Sequence, residues 1–113
     1  MHEMSLCESI VQILEEQARE QQFARVRRVV LEIGALSAVD TRALRFCFDA
    51  VTERTLAAGA ALDIHELPGL AWCLPCGAQV EVAQRHDACP RCGGHQTVVQ
   101  GGEDMRIKEL EVD

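Results

Sequence analysis

Tyrosine is absent from this 113-residue chain, and one tryptophan with three phenylalanines is the whole aromatic content, 4%. So few rings cannot build the stacking platform that single-stranded nucleic acid requires. Basic residues are also scarce: 11 Lys and Arg stand against 18 Asp and Glu, for a formal charge of −7. A phosphate-backbone partner needs clustered cations, and the stretch from Pro68 to Gly102 sets Arg85 and Arg91 against Glu81 and Asp87. No nucleic-acid partner is expected. No apolar run approaches the ~18–20 residues that span a bilayer, and no signal peptide opens the chain. The expectation is a cytoplasmic protein without a membrane partner, in a compartment that keeps thiols reduced. There is no phosphate-binding glycine loop and no nucleophile–base motif, so the chain does not read as an enzyme.

What the chain has is cysteine in a pattern. Cys73 and Cys76, then Cys89 and Cys92, form two Cys-x-x-Cys pairs. Four thiolates so spaced close tetrahedrally around one zinc ion. Each pair sits in the same turn, Cys73-Leu74-Pro75-Cys76-Gly77 and Cys89-Pro90-Arg91-Cys92-Gly93. Proline fixes φ, and the glycine supplies φ > 0 so that backbone N–H groups turn back toward sulfur. Two such knuckles face to face make a zinc ribbon. Four protein ligands leave no position open for substrate, which makes the site structural rather than catalytic. Two disulfides are the rival use of these thiols, disfavoured in a reducing compartment. Iron accepts the same tetrahedral sulfur, although the chain lacks the aromatic packing of a small redox domain. Cys7 and Cys47 fall among apolar neighbours and read as small buried hydrophobes.

The rest of the chain alternates helical and strand periodicity. Ser5 and Glu8 fit a capping box, followed by Leu6, Ile10, Ile13, Leu14 and Ala18 at helical spacing to about residue 21. Residues 26–33 alternate as a strand that Gly34 ends. Asp40 is a plausible N-cap for a second helix carrying Leu44, Cys47, Phe48, Val51 and Thr55, stopped by Gly59. Residues 61–67 and 105–112 read as strands, the last with an apolar phase slip between Ile107 and Leu110 that marks a bulge or an edge. The expected fold is therefore α+β. A three-stranded sheet with two helices on one face forms a discontinuous domain of residues 1–68 and 102–113, and the zinc ribbon, residues 69–101, is inserted into it. Trp72 is expected to pack at the ribbon root. Open strand edges leave room for a homodimer.

The N-terminus offers a second metal site. The chain opens Met1-His2-Glu3-Met4. Histidine is too bulky at the second position for efficient removal of the initiator methionine, so the Met1 amine is retained beside an imidazole. Amine, intervening amide and His2 imidazole form fused chelate rings that suit square-planar nickel(II) or copper(II) better than zinc. An α-amine titrates near ~8, so protons compete with the metal and binding weakens as pH falls. Glu3 is a candidate fourth donor, and Asp40 is another if the helices bring it to the N-terminus. His65, His86 and His95 read as ordinary polar surface.

Taken together, Met1-His2-Glu3, Glu32-Ile33-Gly34-Ala35-Leu36-Ser37, Ala43-Leu44-Arg45-Phe46, Pro68-Gly69-Leu70-Ala71-Trp72-Cys73, the second knuckle and Lys108-Glu109-Leu110-Glu111-Val112 resemble the HypA/HybF family of hydrogenase maturation proteins. The resemblance covers essentially the whole chain. It implies nickel at His2 and neighbouring N-terminal atoms with Glu3 assisting, and zinc at Cys73, Cys76, Cys89 and Cys92. It further implies delivery of nickel to the large subunit of a NiFe hydrogenase with a HypB-type GTPase as partner. The alternative is a zinc-ribbon adaptor between proteins, which would have no use for His2.

Overall fold

The computed structural model describes residues 2–113. Its elements run α1 (Glu3–Gln21), β1 (Val26–Gly34), α2 (Thr41–Thr52), β2 (Ala61–Leu67), β3 (Gly69–Cys73), β4 (Ala78–Val82), β5 (Thr97–Gly101) and β6 (Met105–Val112). Two three-stranded sheets form, ordered β2-β1-β6 and β4-β3-β5. The result is α+β, as the sequence periodicity predicts. No helix among the described residues is long and apolar enough to cross a membrane. Backbone packing divides the chain into two compact units: residues 1–31, 39–64 and 107–113, and residues 32–38 and 65–106.

In the first unit both helices bury one stripe. On α1 the buried positions are Cys7, Ile10, Val11 and Leu14, an i, i+3, i+4, i+7 pattern. The predicted stripe is rotated by part of a turn, because Ile13 is 44% exposed and Cys7 is fully buried. Two overlapping helical registers exist in this sequence, and the partner surface selects one. The helix also starts earlier than a Ser5 cap allows. His2 is the N-cap, and Ser5 lies inside the helix with its carbonyl accepting from the Ser9 hydroxyl at 3.1 Å.

On α2, Asp40 caps as predicted, its Oδ1 accepting from the N–H groups of Arg42 (3.0 Å) and Ala43 (3.2 Å). Leu44, Phe48 and Thr52 face inward. The helix stops at Thr52, short of Gly59. The Thr52 hydroxyl donates to the Phe48 carbonyl (2.7 Å), and the Thr55 hydroxyl then takes the Thr52 carbonyl (2.9 Å). Side-chain hydroxyls thus compete with the helical ladder and turn the chain out of it. Arg28 on β1 pairs with Asp63 of β2 (2.5 Å) and Glu111 of β6 (2.9 Å), one guanidinium reaching both neighbouring strands. β6 is an edge strand, which accommodates the phase slip in its apolar pattern.

The second unit is built on β3, which pairs antiparallel with β4 and β5, with a register shift at Leu70/Ala71. Alternation sends Ala71, Cys73, Val80 and Val82 inward, where they meet Leu36 and Cys89 in one buried cluster. Trp72 alternates outward, opposite Gln79 and Val98, and is 37% exposed. Strand alternation gives the inward phase of β3 to Ala71 and Cys73 and leaves Trp72 on the opposite face. Backbone segments also approach closely: Gly34 N–H donates to the Asp104 carbonyl (2.9 Å), Ala35 N–H to Leu67 (2.8 Å) and Leu36 N–H to Gly102 (2.7 Å).

Candidate metal centres

The two knuckles fold as the doubled turn demands. Gly77 and Gly93 take φ of +59° and +76°. Their N–H groups donate to the carbonyls of Cys73 (2.9 Å) and Cys89 (2.8 Å). Arg91 N–H points at the Cys89 sulfur (3.4 Å) and Gly94 N–H at the Cys92 sulfur (3.5 Å). The four sulfurs all lie within 4.8 Å of one another. Across the knuckles Cys73 and Cys92 are 3.6 Å apart, and Cys76 and Cys89 are 4.0 Å apart. A tetrahedron with metal–sulfur bonds of ~2.3 Å has sulfur–sulfur edges of ~3.8 Å. The spacing fits one metal ion, and all four cysteines are free of disulfides.

Without a metal, Cys73, Cys76 and Cys89 hold their protons unequally. The backbone N–H of Cys92, aided by that of Arg91, outweighs burial and pulls the Cys89 thiol down to about 6. Cys76 is pushed up to about 12, first by its contact with the Cys73 thiol, then by Cys92 and by burial. At Cys73 a backbone N–H from Cys76 favours the thiolate, but burial and the thiols of Cys89 and Cys92 outweigh it, so its pKa is raised. A metal must therefore expel protons from Cys73 and Cys76 near neutral pH, and from Cys89 as well below about pH 6. Each expelled proton contributes about one decade of affinity per pH unit. Metal affinity is expected to fall as pH falls, and more steeply below the Cys89 titration. Competition with a chromophoric chelator across that range measures it, and a pH-independent affinity would contradict the four-thiolate site.

At the start of the chain, His2 has extended backbone (φ −88°, ψ 95°) and its imidazole makes no capping hydrogen bond. Its carbonyl accepts from Leu6 N–H at 3.1 Å, and its side chain is exposed. Glu3 begins α1, and its Oε2 accepts the Asp40 N–H at 3.2 Å. The first residues of α1 are thereby brought to the first turn of α2. Asp40, the other donor candidate, thus meets Glu3 through its backbone N–H, while its Oδ1 is engaged in capping. Two carboxylates at two helix N-termini are favoured by both helix dipoles. The predicted Met1 amine lies outside the described residues. His65, His86 and His95 are exposed and join no cluster of metal-ligating groups among the described residues.

Residue spacing reveals the four cysteines but not the Glu3–Asp40 contact, which joins positions 37 apart. The Asp40 cap is the only sequence signal for it. Cys7 is buried with its S–H directed at the Leu44 carbonyl (3.5 Å), and burial, with smaller contributions from Cys47, Glu3 and Glu8, pushes its thiol up to about 11.

Comparison with known proteins agrees with this geometry. Residues 1–112 match the family described as "Hydrogenase/urease nickel incorporation, metallochaperone, hypA". The chain is similar over the whole length of both proteins to hydrogenase maturation factor HypA 2 of Bradyrhizobium diazoefficiens, at 59% identity. It is likewise similar to hydrogenase maturation factor HypA of Azotobacter vinelandii, at 58% identity over the full length of each. The solution structure of the Ni metallochaperone HypA from Helicobacter pylori superposes with a TM-score of 0.69 at 29% identity, covering 99% of this chain and 97% of that one.

Proposed function

The chain belongs to the HypA family, and on that premise we propose that it is a nickel metallochaperone that delivers Ni(II) during maturation of a NiFe hydrogenase. The observation that carries the reading is the exposed, uncapped His2 imidazole beside the Glu3–Asp40 contact, in a chain matched end to end by its relatives. Nickel is held by His2 and the Met1 amine with Glu3 assisting, and residues 1–68 and 102–113 form the nickel-binding domain. Imidazole and amine nitrogens suit square-planar nickel. An exposed chelate at a chain end lets an acceptor replace the donors one at a time, which a buried cage prevents.

Residues 69–101 form the zinc ribbon, with Cys73, Cys76, Cys89 and Cys92 holding zinc as a permanent structural ion. Four thiolates exhaust its coordination, so the protein carries metal rather than catalysing a reaction. Hand-off takes place in the cytoplasm to the hydrogenase large subunit, with a HypB-type GTPase as partner.

The test is nickel titration of the untagged protein beside a His2→Ala variant, followed by absorbance and calorimetry. The variant is expected to lose a near-stoichiometric nickel site, at least a tenfold weakening, equivalent to about 1.4 kcal/mol. Zinc content should not change. Equal nickel binding by both proteins would favour the zinc-ribbon adaptor instead.

A further inference from the structure

The four cysteines of the ribbon are not equivalent. Cys73 and Cys89 are buried at 0% and 1% exposure, Cys76 is half-buried and Cys92 is exposed. The exposure of Cys92 has a local cause. Its next two residues are Gly93 and Gly94, so no side chain stands over the sulfur from that side. A Cβ built on Gly94 would sit 3.5 Å from the Cys92 sulfur, in ordinary van der Waals contact. The Cys92 sulfur meets the Cys73 sulfur at 3.6 Å, while those of Cys76 and Cys89 meet at 4.0 Å.

We propose that Cys92 is the oxidant-reactive thiolate of this protein, and that its oxidation by a hydroperoxide, resolved by Cys73 as a disulfide, releases the metal from the ribbon. The inference rests on the four-thiolate reading of the site. Thiolates rather than thiols attack peroxide, and access then sorts them. The metal keeps all four sulfurs deprotonated, so accessibility is what distinguishes Cys92 from its three partners. Outside the cluster, Cys7 is shielded and hydrogen-bonded to Leu44.

In the first step the Cys92 sulfur attacks one peroxide oxygen. The O–O bond breaks, an S–O bond forms, and hydroxide (or an alkoxide from an organic hydroperoxide) leaves. In the second, the Cys73 thiolate attacks the sulfenic sulfur and expels a second hydroxide, forming the Cys73–Cys92 disulfide. Two sulfurs together lose two electrons, and the peroxide gains them. The metal keeps its charge but loses two of its four donors, one from each knuckle. An S–S bond of ~2.05 Å needs only a small side-chain movement from a 3.6 Å separation.

The zinc-loaded full chain is treated with hydrogen peroxide, and zinc release is followed with a chromophoric chelator. Dimedone trapping and peptide mass mapping identify the thiols modified at early times. Gly94→Ala is the companion variant. Gly94 does not lie in the left-handed region, and alanine keeps the backbone contacts that Gly94 makes to Cys89 and Cys92. The expected result is dimedone on Cys92 first, then a Cys73–Cys92 disulfide with one zinc released per bond. Release, measured per zinc bound at the start, should be several-fold slower in Gly94→Ala. First modification at Cys47, Cys76 or Cys89, or equal rates in the two proteins, overturns the inference and leaves the zinc site intact. A purified protein without zinc overturns the four-thiolate reading and this inference with it.

Discussion

Replacing Cys73 by alanine is expected to strip the metal from the ribbon and unfold residues 65–106, while residues 39–64 keep their native amide spectrum. The buried cluster of the second unit consists of Leu36, Ala71, Cys73, Val80, Val82 and Cys89, and two of its six members belong to the four-cysteine group that could hold a metal ion. So small an apolar core cannot stabilise the unit alone. Structural zinc in comparable small modules contributes on the order of 10–16 kcal/mol, most of the folding free energy. Removing one ligand also leaves the other three sulfurs one donor short of a closed tetrahedron. The first unit has its own core, with Ile10, Leu14, Val29, Leu44 and Phe48 all at 1% exposure or less, so it should survive. Metal analysis and an amide correlation spectrum of the variant measure both halves of the expectation. A dispersed ribbon spectrum in the metal-free variant would show that the core, not the ion, holds the unit together, and full metal content would show that three thiolates suffice.

Gly34→Ala is expected to destabilise this protein severely by adding a single methyl group. A Cβ at Gly34 would overlap the Gly102 carbonyl and lie 2.7 Å from the Gly102 Cα. Neither segment can back away cheaply. Gly34 N–H is bonded to Asp104 at 2.9 Å and Leu36 N–H to Gly102 at 2.7 Å, so relief would break backbone hydrogen bonds. Overpacking against backbone of this kind costs about 3 kcal/mol or more. Gly59→Ala is the control: φ is +73° there, but nothing lies within 4 Å of the added Cβ. Its cost is the left-handed backbone alone, about 1 kcal/mol. Urea titration should place the Gly34→Ala midpoint well below that of Gly59→Ala. Equal midpoints would mean that the Gly34–Gly102 approach relaxes freely.

Much of this protein is legible from nearest neighbours along the chain. The span of β2, the Asp40 cap, the end of α1 and both cysteine knuckles depend on residues within a few positions of one another. Turn chemistry, capping and ligand spacing are properties of such short windows. The inward stripe of α1 is not of that kind, since its sequence supports two registers and Cys7, rather than Leu6 or Ile13, turned out to face the core. Nor is the early start of α1: a capping box at Ser5 is locally sound, yet the helix begins at Glu3, whose carboxylate meets Asp40 N–H. The contact between Gly34 and Gly102 and the burial of Cys73 and Cys89 against Leu36 share that origin. Each depends on segments distant in the chain occupying the same space. Excluded volume and burial act between such segments only once they have met, and no local pattern of residue types encodes which atoms will be covered when they do.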